Sequence, residues 1–127
     1  MGKYGQAAIE AVKLILSTGM EPTQAWEITT KKTFGNDSQS KDKGCPKGAF
    51  LGLCEYGLVK GIPIGNYTSS QDNKKYAVRA ARILKDHPEF ADNENLLWQE
   101  VIDKSDKKPN NQMDVAISLF KENLLKG

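Results

Sequence analysis

The spacing of apolar residues constrains the fold of this chain most. In nearly every stretch the apolar residues recur every three or four positions, as in a helix, and almost nowhere do they occupy every second position, as in a strand. The first helical stretch ends at Ser17 and Thr18, and Gly19 follows as a residue suited to a left-handed C-cap. Its inward positions are Tyr4, Ala8, Ala11, Val12 and Ile15. We therefore predict a helical fold whose first helix ends before Gly19.

Proline and cap residues place the second, third and fourth helices. Pro22 suits the first position of the second helix, and Pro46 suits that of the third. Ser69, with Asp72 three residues later, resembles a capping box and would begin the fourth helix, which ends before Pro88. The buried stripe predicted for this fourth helix is Tyr76, Ala80, Ile83 and Leu84.

Two further helices are predicted near the C-terminus, separated by a polar break. Asp92 or Asn93 would cap the fifth helix, and Asn110 or Asn111 would cap the sixth. The 127 residues, 39% of them hydrophobic, suffice for one core. We predict a compact all-α bundle of five or six short helices in a single domain, 1–127.

The segment 35–44 contains no apolar residue. It consists of Gly-Asn-Asp-Ser-Gln-Ser-Lys-Asp-Lys-Gly, a composition typical of solvated turns. We therefore expect a flexible polar loop between the second and third helices.

Three glycines, Gly48, Gly52 and Gly57, fall in or near the third predicted helix. Each costs about 1 kcal/mol relative to alanine inside a helix, so something should compensate. Close approach of another helix or loop is the favoured explanation, and contact with a ligand is the alternative.

The cysteine and histidine content limits the chemistry of the chain. With two cysteines and one histidine, a closed zinc site lacks ligands, so we expect no metal and no cofactor. Cys45 and Cys54 are nine positions apart, and on one helix their Cα atoms would stand about 13 Å apart, beyond disulfide reach. We expect two free thiols. Because Glu10 and Lys13 interrupt the N-terminal apolar stretch, we also expect a cytoplasmic protein without a membrane partner.

The net charge of +2 hides a strong asymmetry along the chain. Residues 31–85 hold eleven Lys or Arg against four Asp or Glu, whereas residues 86–106 hold seven acids against one Lys. Within the fourth helix, over 74–85, a basic stripe suited to tracking phosphates is formed by Lys75, Arg79 and Arg82. A solvated outer face is the favoured explanation, because no aromatic residue interleaves the stripe. A third alternative is that the acidic stretch folds against it, within the chain or across a dimer.

The start of the third helix is a candidate anion site, formed by Cys45, Lys47 and Gly48 with Lys43 nearby. The first-turn amides of a helix lack intrahelical partners, and a small anionic or phosphate-bearing ligand would bind them. A closed turn, in which Cys45 Sγ or a side chain of 35–44 caps the amides, is the competing interpretation.

Cys45 also raises the hypothesis of a cysteine-dependent enzyme, since helix amides and lysines favour a thiolate. His87 is the single imidazole base, and it falls before Pro88 at the far end of the fourth helix. The catalytic constellation is therefore incomplete, and we assign no catalytic residue. Four large aromatic residues could line a small-molecule pocket, although they are first of all core residues: Trp26, Tyr56, Tyr67 and Trp98.

One motif resembles a known family. The run Cys-Pro-Lys-Gly-Ala-Phe-Leu-Gly-Leu-Cys, from Cys45 to Cys54, is similar to the hallmark of a small uncharacterised bacterial domain family. Further residues share the likeness: Tyr67, Asn73, Lys74, Tyr76, Ala77, Leu97, Trp98 and Gln112 to Val115. The resemblance implies a soluble bacterial protein with no assigned activity, and it supplies no catalytic residues.

A binding or regulatory module of unknown function is the leading hypothesis, because no catalytic constellation is present. Its partner would be a small anionic ligand or a nucleic acid, and self-association into a homo-oligomer is a further alternative. Nucleic-acid binding by the basic face of helix 74–85 is the alternative. Leu53 to Val59 is similar to the end of a winged-helix recognition unit, but Ile62 to Tyr67 is short for the wing hairpin that should follow.

Overall fold

Six α-helices carry the fold of the residues that the computed structural model describes, 2–103 and 105–126. Two 3-10 helices, at Gln39–Asp42 and Pro88–Asp92, lie between them. The α-helices are α1 (Lys3–Thr18), α2 (Pro22–Phe34), α3 (Gly44–Glu55), α4 (Gln71–Asp86), α5 (Glu94–Ile102) and α6 (Gln112–Lys121). The prediction of an all-α bundle in one domain is confirmed. Among the described helices, none is long and apolar enough to cross a bilayer.

Several predicted helix ends are confirmed in detail. Gly19 has a φ of 76° and donates its N–H to the carbonyl oxygen of Ile15 at 2.8 Å, which closes the C-terminus of α1. Asn93 caps α5, since its Oδ1 accepts a hydrogen bond from the N–H of Leu96 at 3.0 Å. Short local signals therefore predicted both ends correctly.

Two predicted helix starts are wrong. α3 begins at Gly44 rather than Pro46, because proline is tolerated throughout a first helical turn whose N–H groups lack partners. Cys45 therefore lies inside this helix. α4 begins after Ser70, so Ser69 and Asp72 form no capping box. In its place Thr68 Oγ1 accepts a hydrogen bond from the N–H of Ser70 at 3.0 Å.

The start of α6 is held by an unexpected side chain. Asn111 is the N-cap residue, but its φ of 67° is left-handed and its side chain caps nothing. Gln112 Oε1 instead accepts a hydrogen bond from the N–H of Asn110 at 2.6 Å, and Gln112 Nε2 donates to Asn73 Oδ1 at 3.2 Å. The buried amide thereby joins α6 to α4.

The glycines of α3 allow α4 to approach closely. A Cβ atom on Gly52 would stand 2.5 Å from the Cα of Lys74, and one on Gly48 would stand 2.9 Å from the Cβ of Asn73. Nearly all of α3 is buried in consequence. Close packing, the favoured explanation for the glycines at 48 and 52, is confirmed.

A buried carboxylate from α6 caps α1. Asp114 is 5% exposed, and its two carboxylate oxygens accept hydrogen bonds from the N–H groups of Gly2 and Gly5, each at 2.8 Å. At Gly5 the two helices cross so closely that an added Cβ would overlap Ser118. The cap comes from a residue 109 positions away from Gly5, so no local pattern announces it.

The segment 35–44 is polar, as predicted, and part of it is ordered into the 3-10 helix. Ser38 caps that helix by accepting a hydrogen bond from the N–H of Ser40 at 3.2 Å. The hydroxyl of Tyr4 donates to the carbonyl oxygen of Ser40 at 2.9 Å, which attaches the segment to α1. The flexibility of this segment stays a prediction.

α4 is buried on two faces. Ala77, Val78 and Ala81 pack into one apolar cluster with α3, whereas Ala80 and Leu84 belong to a second cluster with α5 and α6. The sequence predicted only the second of these stripes. Because both flanks are covered, the charged residues of α4 share the one remaining face.

The C-terminal segment pairs with the segment after α3. Lys60 donates its N–H to the carbonyl oxygen of Leu124 at 2.9 Å, and Lys126 donates to that of Leu58 at 2.8 Å. These bonds surround an isolated antiparallel bridge between Val59 and Leu125. The pairing fixes the backbone of Lys126 beside the end of α3.

Candidate functional site

The exposed face of α4 forms one wall of an open cavity of about 680 Å³. Lys75, Arg79 and Arg82 are all exposed and all line it, as does Tyr56 at the end of α3. No acidic side chain of the described residues lies within 4.0 Å of these three cations. We call this surface the α4 groove. The structure therefore joins the three residues of the predicted basic stripe in a single concave surface.

Tyr56, at the end of α3, places an aromatic ring beside the basic stripe of α4. Its side chain is 45% exposed, and its hydroxyl accepts a hydrogen bond from Arg82 Nη2 at 2.5 Å. The guanidinium carbon of Arg82 stands 5.3 Å from the ring centroid, within cation–π range. The stripe itself contains no aromatic residue of α4, as the sequence indicated, but the packing of α3 on α4 brings Tyr56 beside Arg82, 26 positions away along the chain.

A second depression continues the basic surface beyond Tyr56. This cavity, of about 310 Å³, is lined by Tyr56, Arg82, Lys85 and Lys126 together with apolar residues. Tyr56 and Arg82 border both cavities, so they lie at the junction. The cationic surface therefore extends along α4 and onto the C-terminal segment.

Lys74 also lines the α4 groove, but it is bound to a buried carboxylate. Its Nζ donates to Glu55 Oε2 at 2.6 Å, and Glu55 is 6% exposed. The other oxygen, Oε1, accepts hydrogen bonds from the N–H groups of Tyr67 at 2.8 Å and Thr68 at 3.1 Å. Lys74 lowers the pKa of Glu55 to about 2, with the two backbone donors adding to the effect. Lys74 therefore fastens the loop between α3 and α4.

The candidate anion site at the start of α3 is arranged differently. Gly48 is buried against α4, and Cys45 is partly buried. Pro46, the third residue of the helix, has no N–H to offer. Lys47 Nζ lies 4.0 Å from Glu27 Oε1, so its charge has an acidic neighbour. The structure thus does not gather Cys45, Lys47 and Gly48 around a common opening.

The competing closed turn is not observed either. In the described part of the chain, no side-chain hydrogen bond caps α3 at its N-cap residue Lys43, and a Cβ on Gly44 would meet nothing within 4 Å. A cavity of about 340 Å³ does lie beside Lys47, lined by Trp26, Glu27, Thr30, Lys31, Lys41 and Asp42. Lys41 Nζ is bound to Asp42 at 2.8 Å in this cavity. Anion binding at the start of α3 stays a prediction.

Both cysteines are free thiols, as predicted. Burial raises the pKa of the Cys54 thiol far above its ordinary value, which makes it inert. The start of α4 packs on Gly48, and His87 follows Asn73 by fourteen residues, or about 21 Å of helix. His87 is therefore remote from Cys45, and the two do not form a catalytic pair.

The winged-helix likeness is wrong. Leu53 and Cys54 are fully buried in α3, so this helix has no free face to present to a DNA groove. The segment between α3 and α4 contains no hairpin, and its one β-bridge joins Val59 to the C-terminal Leu125.

The acidic stretch does not cover the basic stripe within the chain, as far as the described residues show. Glu89 lies 3.7 Å from His87, and Asp92 lies 3.3 Å from Lys121. Pairing of acidic and basic surfaces across a dimer stays a prediction.

Fold and surface together define a small all-α protein with an exposed basic groove. The chain belongs to a family of unknown function, DUF6979, whose model matches residues 1–126. No match was found among curated proteins or among solved structures. The expectation of an uncharacterised family is therefore confirmed, and the function has to be argued from the groove.

Proposed function

We propose that this protein binds nucleic acid, with the phosphates contacted by Lys75, Arg79 and Arg82 in the α4 groove. One observation carries the proposal: three exposed cations line a single cavity, and its one free carboxylate, Asp72, makes no ion pair with them within 4.0 Å among the described residues. A purely solvated face has no need to be concave or to include an aromatic ring. Nucleic-acid binding is thus the form of the binding-module hypothesis that the groove supports best.

The spacing of the cations suits a chain of phosphates. Lys75 and Arg82 are seven residues apart on α4, which is about 10 Å along the helix axis. Phosphates of one strand follow one another at about 3.4 Å along a duplex axis, so about three of them lie within this length. The two guanidinium groups can each bind a phosphate through two parallel hydrogen bonds.

The salt dependence of binding tests the proposal. Fluorescence anisotropy with a labelled oligonucleotide should give an affinity that falls with salt, with a log–log slope of about −2 for three contacts to a single strand. The combined variant Lys75→Ala, Arg79→Ala, Arg82→Ala should lose nearly all of this slope.

Three exposed lysines on α1 and α2 provide the matched control, because their removal lowers the net charge equally. The control variant Lys13→Ala, Lys31→Ala, Lys32→Ala should retain the slope. An equal loss of binding in both variants would mean that the net charge, rather than the α4 groove, attracts the oligonucleotide.

We further propose that the protein is bacterial and cytoplasmic. The sequence resemblance implies the first, and two unbridged cysteines are typical of a reducing compartment. Mass spectrometry of the protein from its native cells, alkylated under denaturing conditions at lysis so that the buried Cys54 is reached, should find both thiols modified; an intermolecular disulfide would argue for an oxidising compartment.

A further inference from the structure

We propose that the nucleic acid is single-stranded and that one of its bases stacks at Tyr56. This inference rests on the proposed function and names the form of nucleic acid that the α4 groove takes.

The flanks of α4 disfavour a duplex. A helix that enters the major groove of DNA must protrude, because the groove is about 12 Å wide and a helix with its side chains nearly fills it. α4 instead has α3 on one side and α5 and α6 on the other. Its basic residues line depressions rather than a ridge. A flexible single strand can enter such depressions and turn a base toward Tyr56, whereas a duplex keeps its bases paired and stacked away from the protein surface.

Tyr56 lies where a base of the bound strand could stack on its ring. Its ring is nearly half exposed and borders both cavities, so a strand following the basic residues passes it. The hydrogen bond from Arg82 holds the hydroxyl end of the ring in place, and Lys74 Nζ stands 5.9 Å from the ring centroid. An ordered ring with cations around it combines stacking with phosphate attraction, the usual pairing in single-strand binding.

The second depression gives the strand a continuing path. Lys85 follows Lys75 by ten residues, or about 15 Å along α4, and Lys126 adds a cation from the C-terminal segment. About four phosphates lie within such a length at the spacing of a stacked strand. Tyr56 and Arg82 fall in the middle of this path.

Three probes of equal length separate bases from phosphates: a thymidine oligonucleotide of about 12 residues, an abasic oligonucleotide with the same phosphates, and a duplex. The protein should bind the thymidine oligonucleotide about tenfold more tightly than the abasic one, which is the range that one stacked base supplies. It should bind the duplex more weakly than the thymidine oligonucleotide.

Variants at Tyr56 assign the effect to the ring. Tyr56→Leu should lower the affinity for the thymidine oligonucleotide about tenfold more than the affinity for the abasic one, whereas Tyr56→Phe should retain the preference for the thymidine oligonucleotide. Photocrosslinking of a 5-iodouracil oligonucleotide to the wild-type chain gives a second measurement that is independent of variant folding. Mass spectrometry should find the crosslink on Tyr56.

The outcomes distinguish this inference from the proposed function. Equal affinities for the thymidine and abasic oligonucleotides, tighter binding of the duplex, or a crosslink found only on another residue would overturn the single-strand inference while salt-dependent binding survives. Absence of salt-dependent binding to all three probes would overturn the proposed function itself.

Discussion

The α4 groove and the start of α3 are both basic, but their charged side chains have different neighbours. In the α4 groove, Lys75, Arg79 and Arg82 face an open cavity and have no acidic partner among the described residues. At the start of α3, Lys47 faces Glu27. Gly48, in the same region, packs closely against α4 and leaves no room there for a ligand. From sequence alone, both regions were candidate anion-binding surfaces.

The difference shows that a basic residue indicates a binding surface only when its neighbours leave it unpaired. Lys74 makes the same point within the α4 groove, because the buried Glu55 already holds its ammonium group. Removal of Lys74 would leave the buried Glu55 carboxylate without a counter-charge, whereas cations without an acidic partner repel each other unless an anion binds.

The largest effect is expected where α3 and α4 touch. Gly52→Leu should lower the free energy of unfolding by about 3 kcal/mol, because its Cβ would stand 2.5 Å from the backbone of Lys74. Gly44→Ala, in the same helix but facing open space, should stay within about 0.5 kcal/mol of the wild type. Urea unfolding measures both. If the two variants were equally stable, the glycines of α3 would no longer be explained by packing.

A smaller loss should follow removal of the paired charge. Glu55→Gln should lower the free energy of unfolding at pH 7 by about 2 kcal/mol, because charge-assisted hydrogen bonds to Lys74 and to two backbone amides are weakened. Arg79→Ala, which removes an unpaired charge, should leave stability nearly unchanged.

The pH dependence of stability sharpens this test. The pKa of Glu55 is lowered from 4.5 to about 2 in the folded protein, so its contribution is present above about pH 4.5 and is lost as the pH falls through about 2. The wild type should therefore lose more stability over this range than Glu55→Gln does. Parallel acid-induced losses, measured by urea unfolding at several pH values, would show that this carboxylate is not held ionised by Lys74.

Charge reversal should affect oligonucleotide binding in the α4 groove more than at the start of α3. Arg79→Glu should weaken oligonucleotide affinity about tenfold, which corresponds to about 1.4 kcal/mol. Lys47→Glu carries the same change in net charge and should have little effect, since Lys47 lies outside the α4 groove. A greater loss in Lys47→Glu, measured by anisotropy at fixed salt, would reverse the contrast and return the site to the start of α3.

The smallest signal should come from inorganic phosphate. Amide chemical shifts in a phosphate titration should move saturably around Lys75, Arg79 and Arg82, because no acidic side chain of the described residues lies within 4.0 Å of these cations. Saturable shifts confined to Cys45, Lys47 and Gly48, weakened by Lys47→Ala, would instead establish the anion site at the helix start.

Much of the helical organisation was predictable because its signals are local. Gly19 ends α1 and Asn93 caps α5 through contacts a few residues away, and both were identified from sequence. The cap that Asp114 places on α1 was not predictable, since the two ends of the contact are over a hundred residues apart. The hydrogen bond from Gln112 on α6 to Asn73 was not predictable either, because the two residues are 39 positions apart.

Only the basic stripe of the candidate site was predictable, because it depends on local spacing within one helix. Helical periodicity alone aligned Lys75, Arg79 and Arg82, because residues three and four apart share a face. Whether that face is open depends on what covers the rest of α4, and the sequence indicated only one of its two buried stripes. The concavity of the site and its aromatic residue therefore appear only in three dimensions.

The sequence by itself determined the all-α class, most helix ends, the free thiols and the basic stripe, because each depends on spacing along a single helix or on composition. Tertiary structure decided which charges are neutralised and which remain open. It paired Lys74 with Glu55 and set Tyr56 against Arg82, contacts that span 19 and 26 positions. Such contacts follow from how closely α3 and α4 pack, and that distance is set by the glycine at 52 against the backbone of Lys74.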